Sequence, residues 1–163
     1  MSKAQDAVKA ILEEEGADIV GTIQDNLAST GTNASGETSK SLRYEVDFTE
    51  SASLSIYGRG FIWGVETGRQ PRKSSLQSGF LDGMLKWMKI RGIGSGLSQK
   101  KFEQLGRFFT WRQNKFGSKL FRKGGRKDII TPAITDEAVK RISDRAVKAY
   151  ADEVFNQNLN DKD

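Results

Sequence analysis

The first 27 residues carry apolar side chains at helical spacing. Intervals of three and four residues relate Val8, Ile11, Leu12, Ile19, Ile23 and Leu27. This pattern predicts one long amphipathic helix with a single buried stripe, and Ser2 with Gln5 predicts a capping box at its start. Gly16 and Gly21 each weaken a helix by about 1 kcal/mol relative to Ala. We therefore expect a kink or the close approach of another element at these glycines.

A period of two replaces helical spacing after a polar connection. Residues 29–40 are rich in Ser, Thr, Gly and Asn and predict a flexible loop. Apolar and charged residues then alternate over 42–48, and the alternation resumes at Leu54 and Ile56. Such alternation predicts two strands with one buried face each, and the short polar turn between them predicts an antiparallel pair. The residues from Phe61 to Val65 fit one or two helical turns.

Helical spacing returns in the middle of the chain. A short apolar helix is predicted from Phe80 to Ile90, and a second helix is predicted between a capping Ser98 and a terminating Gly117. The basic, glycine-bearing residues 119–127 predict a hairpin or a mobile arm.

The last part of the chain predicts a closing helix. Thr131 followed by Pro132 is typical of a helix start, and residues 157–163 are polar and are expected to fray. The whole pattern predicts an α+β fold in a single domain, residues 1–163. Its parts are a long N-terminal helix, a small antiparallel sheet, middle helices and a long C-terminal helix.

Charge is divided unevenly along this chain. Residues 69–127 hold sixteen Lys or Arg and two acids, a balance of +14, whereas the remaining residues balance to −9. Like charge at this density is tolerated where solvent, counterions or an oppositely charged partner relieve the repulsion. The basic helical insertion 69–127 is therefore the candidate for contact with phosphate or with an acidic protein face, which a neighbouring copy could supply.

Most familiar catalytic chemistry is missing from the composition. The 163 residues include no Cys and no His, which removes thiolate nucleophiles, imidazole acid–base groups and the commonest zinc ligands. The glycine clusters lack the spacing of dinucleotide and phosphate-binding loops. Glu13, Glu14 and Glu15 are interpreted as a solvated helix face, because adjacent helical positions point in different directions. For Glu66, a structural ion pair or a loop cap is favoured over a lone base. No catalytic residue, cofactor or metal is expected.

Two partner classes remain to be weighed. Charges interrupt the N-terminal stretch, so neither a signal peptide nor a membrane span is expected, and we expect a cytosolic product without disulfides. The helix from Phe80 to Arg91 has the composition of an interfacial membrane helix, but such stripes are typical of a core, and no membrane contact is expected.

Cations interleaved with aromatic residues over 100–116 suit a nucleic-acid groove. Non-specific duplex contact, or contact with an acidic partner, is favoured over single-strand binding.

Two short segments resemble a known family. An apolar stretch runs into Val-Glu-Thr-Gly at 65–68, and Ile-Ile-Thr-Pro-Ala-Ile at 129–134 opens the predicted last helix. Together they resemble the tail-component family of tailed bacteriophages, whose members are neck or tail-completion proteins. In the second segment, Ile129 and Ile130 replace the usual Pro-Phe-Leu. The residues that match the family motifs are Val65, Glu66, Gly68, Pro132, Ala133 and Ile134.

The resemblance implies a virion protein without catalysis. Identical subunits would form a ring around a DNA channel and contact a portal, adaptor or tail-tube protein in the neck or tail, after synthesis in the bacterial host cytoplasm. An alternative is a non-specific nucleic-acid-binding accessory protein, and a third hypothesis is an enzyme that uses Glu66 with Arg69. The residues expected to face packaged DNA or an acidic neighbour are Arg69, Arg72, Lys73, Lys119, Arg122, Lys123, Arg126 and Lys127.

Overall fold

The structure, a computed structural model, describes residues 2–49, 51–60, 62–72 and 79–160, with side chains up to residue 156. The fold is α+β and has the order of elements that the sequence predicts. The helices and strands in the described ranges are α1 (Lys3–Ser29), α2 (Glu37–Lys40), β1 (Arg43–Asp47), β2 (Ser53–Tyr57), α3 (Gly64–Thr67), α4 (Phe80–Ile90), α5 (Gln99–Phe116), α6 (Lys119–Arg122) and α7 (Asp136–Asn160).

Helix α1 forms as predicted and is the central support of the fold. The hydroxyl of Ser2 accepts a hydrogen bond from the Gln5 N–H at 3.2 Å, and the Gln5 side chain accepts one from the Ser2 N–H at 2.9 Å. At Gly16 the expected close approach is confirmed, because an added Cβ would lie 2.7 Å from the Tyr44 ring. At Gly21 there is no close approach, since no atom of the described residues lies within 4 Å of such a Cβ.

The two-stranded sheet packs one face on α1. Strands β1 and β2 pair antiparallel, with Tyr44 opposite Ile56 and Val46 opposite Leu54. In β1 the half-buried Tyr44 and Val46 alternate with exposed polar residues, as the period of two predicts, whereas in β2 Ser55 is half-buried as well. The main apolar core gathers side chains from α1, from the sheet and from the segment 129–133.

Helix α7 packs against α1, and two of its arginines pair with a buried carboxylate of α1. The Glu15 side chain is 2% exposed, so the interpretation of this residue as part of a solvated face is wrong. Its Oε1 accepts hydrogen bonds from Arg141 Nε at 3.0 Å and from Arg145 Nη1 at 2.8 Å. The Arg141 hydrogen bond is the largest cause of the lowered pKa of Glu15. A buried carboxylate is tolerated here because two guanidinium groups neutralise it.

Four predictions about element positions are corrected. Residues 37–40, expected to be part of a flexible loop, form α2, and residues 119–122 form α6 where a hairpin or arm was predicted. Helix α7 begins at Asp136, not at Thr131, because the amide and hydroxyl of Thr131 are bonded to Glu66, and the Thr135 hydroxyl accepts from the Ala138 N–H instead. The helix also continues to Asn160, past the start of the predicted frayed tail.

The middle helices have an apolar core of their own. Helices α4 and α5 pack on each other around Met84, Met88 and Phe102, apart from the main core. Gly106 permits this contact, since an added Cβ would lie 2.4 Å from Leu85. Ser98 precedes α5 as predicted but makes no side-chain capping hydrogen bond. We call residues 79–116 the lobe, and α1, the sheet, residues 129–134 and α7 the body.

Polar contacts join the lobe to the segment that follows α1. The Lys86 ammonium donates to Glu37 Oε1 at 2.9 Å, and the Arg91 guanidinium donates to the Gly31 carbonyl. These contacts lie on the surface, where ion pairs contribute little to stability. The lobe is therefore a small helical hairpin held beside a larger apolar structure.

Candidate functional surfaces

The two segments that carry the family resemblance meet at a buried carboxylate. Glu66 lies in α3 and is 6% exposed. Its Oε1 accepts hydrogen bonds from the backbone N–H groups of Ile129 at 2.8 Å, Ile130 at 2.6 Å and Thr131 at 3.1 Å. Its Oε2 accepts from the Thr131 hydroxyl at 2.9 Å. The loop-cap interpretation of Glu66 is thus confirmed.

The electrostatics of Glu66 fit a structural role. Burial raises its pKa, but the hydrogen bonds from Thr131, Ile129 and Ile130 together outweigh burial, and the pKa lies below its ordinary value. A carboxylate that accepts this many N–H bonds is stabilised in the ionised form. Both of its oxygens are engaged, which leaves Glu66 poorly placed to take a proton from a substrate.

The remaining motif residues hold the same junction together. Gly68 has φ +73°, and an added Cβ would lie 2.3 Å from the Phe121 backbone nitrogen, so only glycine fits. Val65 packs against the main core, and Ala133 is buried in it. Ile134 is partly exposed at the edge of the junction. Pro132 lies in the turn between the capped segment and α7.

The two basic segments predicted as one surface are brought side by side. The Arg69 N–H donates to the Ser118 hydroxyl at 3.0 Å, and the Ser118 N–H donates back to the Arg69 carbonyl at 2.8 Å. The Arg72 N–H donates to the Asn114 carbonyl at 2.9 Å. Residues around Arg69 and α6 therefore form a single basic junction. Lys73 lies outside the described residues.

The predicted basic residues do not all face solvent. The Arg69 guanidinium lies 3.4 Å from the Phe80 ring centroid and donates to Asn114 Oδ1 at 3.0 Å, and burial lowers its pKa. Arg126 makes a two-pronged ion pair with Asp128. These two arginines stabilise the junction. The exposed cations of the set are Arg72, Lys119, Arg122, Lys123 and Lys127.

A second cationic surface lies on the lobe, in the segment where the sequence interleaves cations with aromatic residues. Phe108, Trp111 and Phe116 are each 44–49% exposed on the outer face of α5. The Phe108 and Trp111 rings are 6.1 Å apart, and Trp111 and Phe116 are 6.0 Å apart, centroid to centroid. The Lys115 ammonium lies 5.3 Å from the centroids of Trp111 and Phe116.

This aromatic face is strongly positive. The lobe carries eight Lys or Arg and two acids, and Lys100, Lys101 and Arg112 are exposed on the same helix as the rings. Exposed aromatic rings among cations suit an anionic partner that also offers flat or apolar groups.

The body contains an apolar groove. A cavity of about 310 Å³ opens between α1, β2 and the first turns of α7. Its floor includes the core residues Ile19, Ile23 and Leu42, and its rim includes Tyr57, Trp63, Ile134 and Val139. Trp63 is 62% exposed on that rim. We call this cavity and its rim the groove.

Helix α7 leaves a second apolar surface uncovered. Beyond the face that packs on α1, the residues Val139, Ser143, Val147, Tyr150 and Val154 follow one another at intervals of four, four, three and four. This is the spacing of a helix face that meets another helix. Val147 is 67% exposed, and Phe155 beside the row is 71% exposed. We call Val147, Tyr150, Val154 and Phe155 the stripe.

The residues that the structure describes contain no group of three or more acidic side chains placed to hold a metal ion. Within those ranges, each helix is too short or too polar to cross a bilayer. Comparison with protein-family models, with curated proteins and with solved structures finds no match. The junction at Glu66, the basic surfaces, the groove and the stripe are therefore the basis for a functional proposal.

Proposed function

We propose that this protein is a structural subunit of a tailed-phage virion that forms a ring of identical copies at the head-to-tail junction, around the DNA channel, and catalyses no reaction. The observation that carries the proposal is the contact between the two motif segments. Glu66 of the first segment caps the backbone of Ile129, Ile130 and Thr131 in the second. The two segments that resemble the family also contact each other in the structure. This contact favours a similarity of the whole fold over a chance similarity of two short motifs.

The uncovered apolar surfaces support the assembly part of the proposal. A single soluble chain rarely leaves contiguous large apolar patches open to water. The body has two such patches, the groove and the stripe, both built on rigid elements. A subunit that meets neighbours on two sides of a ring would have these surfaces covered.

The cationic surfaces support a polyanionic or acidic partner. The basic junction and the lobe lie within residues 69–127, while the rest of the chain is acidic. In a ring, such a charge division places cations toward packaged DNA or toward the acidic body of a neighbour. Duplex contact of this kind is independent of sequence and weakens steeply with salt.

The chemistry of the buried acids supports a role without catalysis. Glu66 is occupied by four hydrogen bonds, and Glu15 is held by Arg141 and Arg145. Both carboxylates serve the fold. The hypothesis of an enzyme that uses Glu66 with Arg69 loses its geometric basis, since Arg69 bonds to Asn114 instead.

Size and shape test the proposal directly. The purified chain is examined by size-exclusion chromatography with light scattering and by negative-stain electron microscopy, with and without candidate portal or tail-tube proteins. We expect a mass several times 18.1 kDa and annular particles with a central hole. A chain that remains monomeric alone and with every such partner would contradict the proposal.

The alternative, a nucleic-acid-binding accessory protein, is favoured by the outer face of α5. A monomer that shifts duplex DNA at physiological salt would support it. A variant with Lys100, Lys101 and Arg112 changed to Glu should then lose binding, whereas a variant with three body lysines changed, Lys3, Lys9 and Lys140, should keep it. Loss of binding in both variants would indicate a dependence on net charge alone.

A further inference from the structure

The groove and the stripe lie at opposite ends of one rigid helix. Val139 and Ile142, in the first turns of α7, contribute to the groove, and the stripe begins at Val147. A helix rises 1.5 Å per residue, so Ile142 and Val154 are about 18 Å apart along the axis. The stripe of a chain therefore cannot fold back into the groove of the same chain without breaking α7.

The two surfaces match in chemistry. The described side chains that line the groove are aliphatic or aromatic, and so are those of the stripe. Ligand pockets of similar size hold a few converging polar groups that orient a small molecule. The groove lacks such a set of converging polar groups among its described residues. It therefore suits the apolar side chains of another protein chain better than a small molecule.

The groove rim and the stripe each expose enough aromatic surface to form the centre of a protein–protein interface. Aromatic side chains bury about 150–250 Å² when fully covered, so the exposed parts of Tyr57 and Trp63 offer on the order of 200 Å² of ring surface. Tyr150 and Phe155 offer a similar area on the stripe. Each partner in a standard interface contributes about 800 Å² in all, and a desolvated centre of this size inside a polar rim is typical of such contacts.

The charges around the two surfaces are complementary in sign. After Tyr150 the sequence holds four acids and one Lys. On the groove, the Arg43 guanidinium lies 4.9 Å from the Tyr57 ring centroid and pairs with Glu45 at 3.2 Å, and the exposed Lys140 follows the rim residue Val139. An acidic helix end that approaches this rim meets Lys140, which orients the approach.

We propose that the stripe of one copy lies in the groove of the next copy, with Tyr150, Val154 and Phe155 packed against Tyr57, Trp63 and Ile134. This inference rests on the proposed function and specifies its subunit contact. The two surfaces differ, so the contact is head-to-tail, and repeating it produces a closed ring when the rotation closes.

Two single variants test the pairing. Trp63→Glu places a charge on the groove, and Val154→Glu places one on the stripe; both residues are more than half exposed, so folding should be unaffected. Each variant alone should be monomeric by light scattering. An equal mixture should form a species of two chains and no larger one, because one intact groove and one intact stripe remain. Ile90→Glu, at an exposed apolar position in the lobe, is the control and should assemble like the unchanged protein.

Introduced cysteines give a second, independent readout. The chain has no Cys, so a Trp63→Cys, Val154→Cys double variant carries the only two thiols. Oxidation should produce a ladder of disulfide-linked chains on a non-reducing gel, since the sites meet only between copies. Thr22→Cys in place of Val154→Cys, on the exposed side of α1, should give no ladder.

The possible outcomes separate the inference from the proposed function. Oligomers that persist in both Glu variants, or a mixture that stays monomeric, would overturn the groove–stripe contact while leaving a ring of copies intact. A double-cysteine variant that assembles without forming the ladder would do the same. An unchanged protein that is monomeric alone and with its candidate partners would overturn both.

Discussion

The body and the lobe contain similar side chains but bury them to different extents. In the body, a long helix, a sheet and a capped loop share one apolar core, and its two buried acids are held by hydrogen bonds. In the lobe, two helices share a small core, and Phe108, Trp111 and Phe116 remain half exposed among cations. The difference indicates that the body sets the shape and the lobe presents charge.

Truncating one buried side chain in each region should give the largest difference between the body and the lobe. Ile23→Ala in the body should lower the free energy of unfolding by about 2–5 kcal/mol, because a fully buried aliphatic side chain is replaced by a cavity. Met88→Ala, equally buried, should act mainly on the lobe, which we expect to open in a separate and cheaper step. Native-state hydrogen exchange distinguishes them: Met88→Ala should accelerate exchange over 80–116 and leave 19–27 protected. Equal acceleration in both regions would mean one cooperative unit.

Removal of the carboxylate at the Glu66 junction should be almost as costly. Glu66→Ala leaves buried N–H groups of Ile129 and Ile130 without acceptors, at about 1–3 kcal/mol each. We expect a loss of about 2–5 kcal/mol in urea unfolding. Glu13→Ala, which removes an exposed ion pair with Lys9, is the matched control and should change stability by less than about 0.5 kcal/mol. Similar small effects for both would show that the cap is not structural.

Replacing either of two glycines of α1 by Ala should change the stability of the protein in opposite directions. Gly16→Ala forces the Tyr44 ring away from a Cβ that would lie 2.7 Å from it, and should destabilise by about 1–3 kcal/mol. Gly21→Ala meets nothing within 4 Å and should stabilise by about 0.5–1 kcal/mol through helix propensity. Thermal melting of the two variants gives the comparison. A stabilising Gly16→Ala would mean that the sheet does not press on the helix there.

Lowering the pH should reduce the free energy of unfolding of the body, because its two buried carboxylates become protonated. The pKa values of Glu15 and Glu66 are both lowered from 4.5 by folding. Depressed values mean that their contribution is complete above about pH 4.5 and is lost as the pH falls through the folded-state values. Urea unfolding between neutral pH and pH 3 should show this decline, and Glu15→Gln should make it shallower. A stability that rises on acidification would contradict the assignment.

Periodicity made most of the fold predictable, because it reports which residues are buried. It identified α1 with its cap, both strands, α4, α5 and the α+β class. It failed where a distant residue changed a local preference. Thr131 has the sequence of a helix cap, but Glu66, 65 residues away, takes its amide and hydroxyl, and α7 starts later.

The surfaces were harder to predict for the same reason. Helical spacing shows that Phe108 and Trp111 share a face but not that this face lacks a covering element. Glu15 has the sequence surroundings of a solvated residue, and only the packing of α7 reveals its two arginines. Charge segregation did locate the basic junction, although Arg69 and Arg126 turned out to be engaged within it.

Sedimentation equilibrium of the unchanged protein at neutral pH and physiological salt tests the central claim, self-assembly through the body, most directly. The account predicts a molar mass that is a fixed multiple of 18.1 kDa and that falls to one chain in Trp63→Glu but not in Ile90→Glu. A mass of 18.1 kDa for the unchanged protein at every concentration, alone and with the candidate portal or tail-tube proteins, would contradict it.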